Sequence, residues 1–194
     1  LVITAGGAVW SRGAGGNGRL GHGERPRQLL PKQVEAFAGQ HVVAVSAGGF
    51  HSFALTSSGA LWSCGVGAYG RLGHGDQQNQ VLAKQIEAFA GQRVIAVSAG
   101  DVHTLAITAD GAVWSWGSGR TGKLGHGTDL SNQWEPKKVE ALASKRVVAV
   151  SAGYCHSLAL TAGGGVVSWG GGEPGCLGHG TKRTRLRPGK IEAL

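Results

Sequence analysis

Three residue patterns in this sequence have types and spacings that could do chemistry. Histidine recurs in two registers: His51, His103 and His156 follow V-S-A-G-x-x, and His22, His74, His126 and His179 sit inside L-G-H-G. A hydroxyl residue, Ser52, Thr104 or Ser157, stands beside each of the first three, which is the raw material of a base and a nucleophile. Glycine recurs as G-x-G-x-x-G at 13–18, 65–70, 117–122 and 170–175, a spacing able to wrap a phosphate. Three thiols, Cys64, Cys155 and Cys176, complete the inventory.

Each pattern also has a plainer reading, and the plainer one is favoured. A dinucleotide fingerprint needs a helix after its glycines and an acidic residue about 20 positions on. Here L-G-H-G follows, no helix can start, and the motif occurs four times. The stretch GRTGKLGHG at 119–127 places Leu124 where a phosphate loop needs Ser or Thr. Histidines 52 residues apart lie in different units and do not converge on one ion, so a buried imidazole bonded to loop backbone is the expectation. The Ser and Thr neighbours are repeat positions, not one unique triad. The cysteines are odd in number and out of register, and read neither as a disulfide framework nor as a zinc site. No catalytic, cofactor-binding or metal-ligating residue is therefore expected, and the chain reads as a non-enzyme.

The elements that position these residues come from repetition. L-G-H-G begins at Leu20, Leu72, Leu124 and Leu177, and V-S-A-G at Val45, Val97 and Val150, so both markers recur every 52 or 53 residues. Trp10, Trp62 and Trp114 keep the same period, with Val167 in fourth place. Glycine, 36 of 194 residues, is far above its usual share of about 7%, which argues against helices and for tight turns. Within a unit, VIAVSAG (94–100) and HTLAIT (103–108) read as strands, then Asp110-Gly111 as a hairpin turn, then AVWSWG (112–117) as a third strand. K-[KQ]-[VI]-E-A reads as a fourth. Four strands in about 52 residues make a propeller blade, and one blade cannot bury both faces of its sheet alone. The fold class is thus all-β, a β-propeller of about 3.7 repeats, with one domain over 1–194 and units near 1–37, 38–89, 90–142 and 143–194.

The full pattern, G-x-G-x-x-G-x-L-G-H-G, then [KQ]-x-[VI]-E-A, then V-x-A-V-S-A-G-x-x-H-[ST], resembles the repeat of the regulator of chromosome condensation (RCC1-type) family. That resemblance implies a β-propeller of seven such repeats, where this chain holds fewer than four. Leu1 aligns with Phe53 and Leu194 with Leu142, so 15 residues equivalent to 143–157 are wanting from an integral set of four. The expectation is completion by self-association, as a homodimer, or by further sequence. The resemblance also implies guanine nucleotide exchange on a small GTPase as an alternative function, though no inserted wedge interrupts the 52–53 spacing. Plant ultraviolet-B photoreceptors share the repeat, but their Gly-Trp-Arg-His-Thr is replaced here by Gly49-Phe50, Asp101-Val102 and Tyr154-Cys155 before the histidine. Photoreception is disfavoured, and Trp10, Trp62 and Trp114 are expected to pack in the core.

What is left is charge. The net value is +8, compatible with an acidic protein surface, a chromatin-type surface or nucleic acid. The segment after each L-G-H-G varies most between units, and variable loops on a rigid scaffold carry specificity. In the fourth it holds Lys182, Arg183, Arg185, Arg187 and Lys190, with no acid until Glu192, and in the first it holds Arg25 and Arg27. Trp134, in the third, reads as an isolated loop aromatic and a candidate interface anchor. These eight residues are the candidate partner-binding set on an interaction scaffold. No apolar run approaches 18 residues and LVITAGG lacks the basic start of a signal peptide, so an intracellular location, cytoplasmic or nuclear, and no membrane partner are expected.

Overall fold

A computed structural model describes residues 1–23, 27–173 and 175–193. Four antiparallel sheets follow one another along the chain. The first contains β1 (Val2–Ile3), β2 (Val9–Gly13) and β3 (Gln28–Gln33). The second runs β4 (Val42–Ala47), β5 (His51–Thr56), β6 (Leu61–Gly65) and β7 (Gln80–Gln85). The third runs β8 (Val94–Ala99), β9 (His103–Thr108), β10 (Val113–Gly117) and β11 (Gln133–Lys138). The fourth runs β12 (Val147–Ala152), β13 (His156–Thr161), β14 (Val166–Gly170) and β15 (Arg185–Lys190). Each is an up-and-down meander, so strand order in space is strand order in sequence. This is the all-β, partial-propeller architecture that the repeats imply. Among the described residues no helix is long and apolar enough to cross a membrane.

Local chemistry sets the hairpins. Between β9 and β10 the Gly111 amide donates to the Thr108 carbonyl at 2.8 Å, and Gly111 takes a φ of 83°, which a side chain would resist. The Asp110 carboxylate ties the same turn by accepting from Thr108 Oγ1 at 2.6 Å and from the Ala112 amide at 3.2 Å. Those bonds hold its carboxyl below the usual range.

Packing occurs face to face between sheets. One apolar cluster, including Val9, Val34, Phe37 and Ala54, fills the gap between the first and second sheets. Phe53, Leu55, Ile86, Phe89 and Trp116 fill the second gap, and Leu105, Ile107, Val139, Leu142 and Trp169 the third. Strands β5 and β9 are therefore buried along their whole length rather than on alternate residues. A strand with neighbours on both faces has no solvent side.

Two expectations about the unit's last strand need correction. E-A is not strand: Glu35–Phe37, Glu87–Phe89 and Glu140–Leu142 form single 3₁₀ turns that drop Phe37, Phe89 and Leu142 into the gaps. The strand lies earlier, starting at Gln28, Gln80, Gln133 and Arg185, within the segments read as variable loops. Pairing to β2, β6, β10 and β14 imposes strand there despite Pro31, Pro136 and Pro188, because these are edge strands; their outer side meets at most isolated loop contacts, such as the Gly23 amide donating to the Val81 carbonyl at 2.9 Å.

Candidate interaction site and the seams that position it

The histidines and hydroxyls form two repeated latches. Within each sheet a serine at the centre of the strand before the L-G-H-G loop binds that loop. Ser63 Oγ donates to the Leu72 carbonyl at 2.9 Å and meets His74 Nε2 at 2.9 Å. Ser11, Ser115 and Ser168 do the same with His22, His126 and His179. Because the serine proton goes to a carbonyl, the imidazole Nε2–H must donate to Oγ. That polarity is the reverse of a base activating a nucleophile.

The second latch crosses the seams. His51 Nε2 meets Thr104 Oγ1 of the next sheet at 3.2 Å, and His103 Nε2 meets Ser157 Oγ at 2.9 Å. Those hydroxyls donate back to carbonyls of the preceding sheet, Thr104 to Arg71 and Ser157 to Lys123. The same two carbonyls accept the indole N–H of Trp116 at 2.9 Å and of Trp169 at 2.8 Å. The expectation from sequence is imidazoles bonding loop backbone directly; instead a hydroxyl intervenes between each ring and the loop carbonyl. Burial, reinforced by nearby Arg71 for His51 and Lys123 for His103, drives both imidazoles down to about 3. His74 is lowered to about 4 and His126 is lowered as well, again chiefly by burial. Cys64, enclosed in the first seam, has its thiol pushed up to about 12 by burial.

The glycine motif forms a 3₁₀ turn that presses on the neighbouring sheet. A side chain at Gly70 would collide with Trp134, and one at Gly122 would sit 2.6 Å from a Leu186 methyl. Cradling an adjacent strand, not a phosphate, is the use these glycines serve.

Trp114 and Trp116 lie on one face of β10, as period two requires, and both meet the Phe89 ring edge-on, at 5.7 and 5.9 Å. Trp116 and Trp169 are the fully buried pair, whereas Trp10, Trp62 and Trp114 are half-buried at the seam margins.

The candidate binding residues fall mainly on outer strands. Arg185, Arg187 and Lys190 belong to β15, with Lys182 and Arg183 in the loop before it, and all five are exposed. Arg187 lies against Gly127 of the third sheet, on a groove also lined by Lys137, Lys138 and Glu140. Lys190 pairs with Glu192 at 3.0 Å and Lys137 with Asp129 at 2.8 Å. Among the described residues no carboxylate pairs with Lys182, Arg183, Arg185 or Arg187. Arg27 is exposed just before β3, three sheets away from this group, and Arg25 lies outside the described residues. Trp134 is neither isolated nor in a loop. It is the second residue of β11, in register with Val81 of β7 and Leu186 of β15, and it packs over Gly70 while remaining 46% exposed.

Comparison with known proteins decides the family. The RCC1-like domain profile matches residues 1–194. The chain belongs to the RCC1-like domain family. The human "E3 ubiquitin-protein ligase HERC2" is 42% identical over all of this chain, which spans 4% of that protein. The "Ultraviolet-B receptor UVR8" of Arabidopsis thaliana is 37% identical over 98% of this chain and 43% of its own length. Among solved structures, human WBSCR16 superposes with a TM-score of 0.89 at 26% identity, over 97% of this chain and 49% of that one. Yeast Prp20p, whose structure was described with its binding to Gsp1p and histones, superposes at 0.84 with 24% identity and shares the fold. This RCC1-like chain therefore spans about half the length of these solved relatives.

Proposed function

We propose that this RCC1-like chain is a non-enzymatic interaction scaffold that docks an acidic protein surface on the outer strand of its fourth sheet. The observation that carries the reading is the run Lys182, Arg183, Arg185 and Arg187, exposed on a rigid edge with no ion-pair partner among the described residues. The repeated imidazole–hydroxyl pairs support the non-enzymatic part, since each hydroxyl proton is committed to a carbonyl. A chromatin-type surface is the wider class that such a run also fits, with DNA its nucleic-acid form.

Reversing Arg183, Arg185 and Arg187 to glutamate is expected to weaken binding of a fluorescent polyglutamate peptide at least tenfold. The salt dependence of that binding should flatten as well, because exposed pairs are screened within about 10 Å at 0.1 M salt. Unchanged affinity in anisotropy titrations would refute the assignment. Tighter binding of a mixed-sequence DNA duplex than of the peptide would move the partner to nucleic acid.

The same reading includes self-association. The face of the fourth sheet formed by Ala149, Leu158 and Leu160 has no further sheet packed on it among the described residues, whereas the equivalent face of the third sheet is buried. Light scattering behind a sizing column is expected to give twice 19.8 kDa for a chain that covers this face with a second copy. A mass of one chain at micromolar concentration would exclude the homodimer.

A further inference from the structure

The fourth sheet departs from the repeat at three positions that meet at one point. Cys155 stands where the second and third sheets carry Phe50 and Val102. Cys176 stands where the first three carry Arg19, Arg71 and Lys123. Gly171 stands where the others carry Ala14, Val66 and Ser118.

In the fold, the Sγ atoms of Cys155 and Cys176 and one ring nitrogen of His156 all lie within 4.8 Å of one another. All three residues are partly exposed, so an ion can enter. A Cβ on residue 171 would lie 3.1 Å from Cys155 Sγ, so the valine of the second sheet would crowd this thiol. Gly171 is not among the positive-φ glycines, which removes the usual backbone reason for glycine there. Its carbonyl instead accepts from Cys176 Sγ at 3.1 Å and Cys155 Sγ at 3.9 Å, holding both thiols on one side. His51 and His103 are committed to hydroxyls across their seams, while the third histidine of that register lies beside thiols. Lys123 lies near this cluster as well. Burial lowers its ammonium, and Cys155 and Asp101 lie close enough to oppose that.

Two thiolates and an imidazole form a soft donor set, which selects zinc or copper(I) over magnesium or calcium. Tetrahedral zinc holds sulfur at about 2.3 Å and nitrogen at about 2.0–2.1 Å, so its donors stand about 3.5–3.8 Å apart. Binding therefore requires the three side chains to draw in from their present spacing, within 4.8 Å, to that distance. We propose that Cys155, His156 and Cys176 bind one zinc ion, with water in the fourth position. The two thiols release their protons on binding, so two thiolates balance the divalent charge and affinity falls as pH falls. The site is independent of the acidic-partner reading and stands or falls without it.

The test is an anaerobic titration of the reduced, metal-free chain with cobalt(II), followed by zinc. One equivalent is expected, with a thiolate-to-cobalt charge-transfer band and tetrahedral d–d absorption that zinc then bleaches. Cys155→Ser and Cys176→Ser should each abolish the charge-transfer band at stoichiometric metal, and His156→Ala should weaken binding at least tenfold. Cys64→Ser, remote from the cluster, should change nothing. Gly171→Val keeps every donor and is expected to weaken binding by crowding Cys155. Wild-type protein gives a second readout that needs no variant: zinc should protect Cys155 and Cys176 from iodoacetamide, while buried Cys64 stays unlabelled with or without zinc. A folded, reduced chain without the charge-transfer band, or an unchanged band in a Cys155→Ser/Cys176→Ser variant, would overturn the proposal. So would a Cys155–Cys176 disulfide in the purified chain that yields no metal binding after reduction.

Discussion

Replacing Trp116 with alanine is expected to lower the thermal midpoint by about 10 °C. Its side chain is fully buried between the second and third sheets, against Phe53 at 5.9 Å and Phe89 at 5.9 Å. Truncating a buried Trp to alanine costs about 3–5 kcal/mol, mostly as a cavity that the surroundings only partly close. For a chain of this length each kcal/mol moves the midpoint by about 2–4 °C. The lost indole bond adds little, since the Arg71 carbonyl still accepts from Thr104 Oγ1. Trp114→Ala, on the same strand but half-buried, serves as the control and should cost less than half as much. Equal losses by scanning calorimetry would mean that seam packing does not govern stability. The matching change at Trp169, in the next seam, should behave like Trp116→Ala.

Acidification is the second large effect. In the unfolded chain His51 and His103 take their ordinary pKa near 6.5, whereas the folded values are about 3. Between those values the unfolded state binds protons that the folded state refuses. Stability is thus complete above pH 6.5 and falls as pH falls, by about 2 kcal/mol per group at pH 5, or about 4 for the pair. His74 adds in the same direction over the same window. Asp110 and Asp129 also have lowered values, but their window opens only near the carboxylate range, well below pH 5. Urea midpoints measured at pH 7 and pH 5 should differ accordingly. A midpoint that does not move would show that both imidazoles titrate freely and that the seam latch is open in solution. His103→Asn, although less stable at pH 7, should show a shallower fall.

Much of the fold could be read along the chain, because its signals are local. The 52-residue period, the Asp110-Gly111 turn and the shared face of Trp114 and Trp116 each depend on residues a few positions apart. Where local pattern and pairing disagreed, pairing prevailed. The segments from Gln28, Gln80, Gln133 and Arg185 look like polar loops, three of them with a proline, yet become edge strands because the strand before each offers a free row of amides and carbonyls. That change moved Trp134 from a lone loop aromatic to a register position, and Arg185, Arg187 and Lys190 from a loop to a strand.

The sequence by itself therefore determined the all-β repeat, its hairpins and the uneven placement of positive charge. Only the tertiary structure decided what the chemistry-bearing side chains touch. His51 and Thr104, or Cys155 and Cys176, meet across a seam or across a sheet after 53 or 21 intervening steps of chain. Comparing units at equivalent positions shows that such residues vary, but not that the variations coincide in space. That coincidence follows from sheet stacking, which carries one unit's loop carbonyls and thiols onto the next strand, and no periodicity along the chain encodes it.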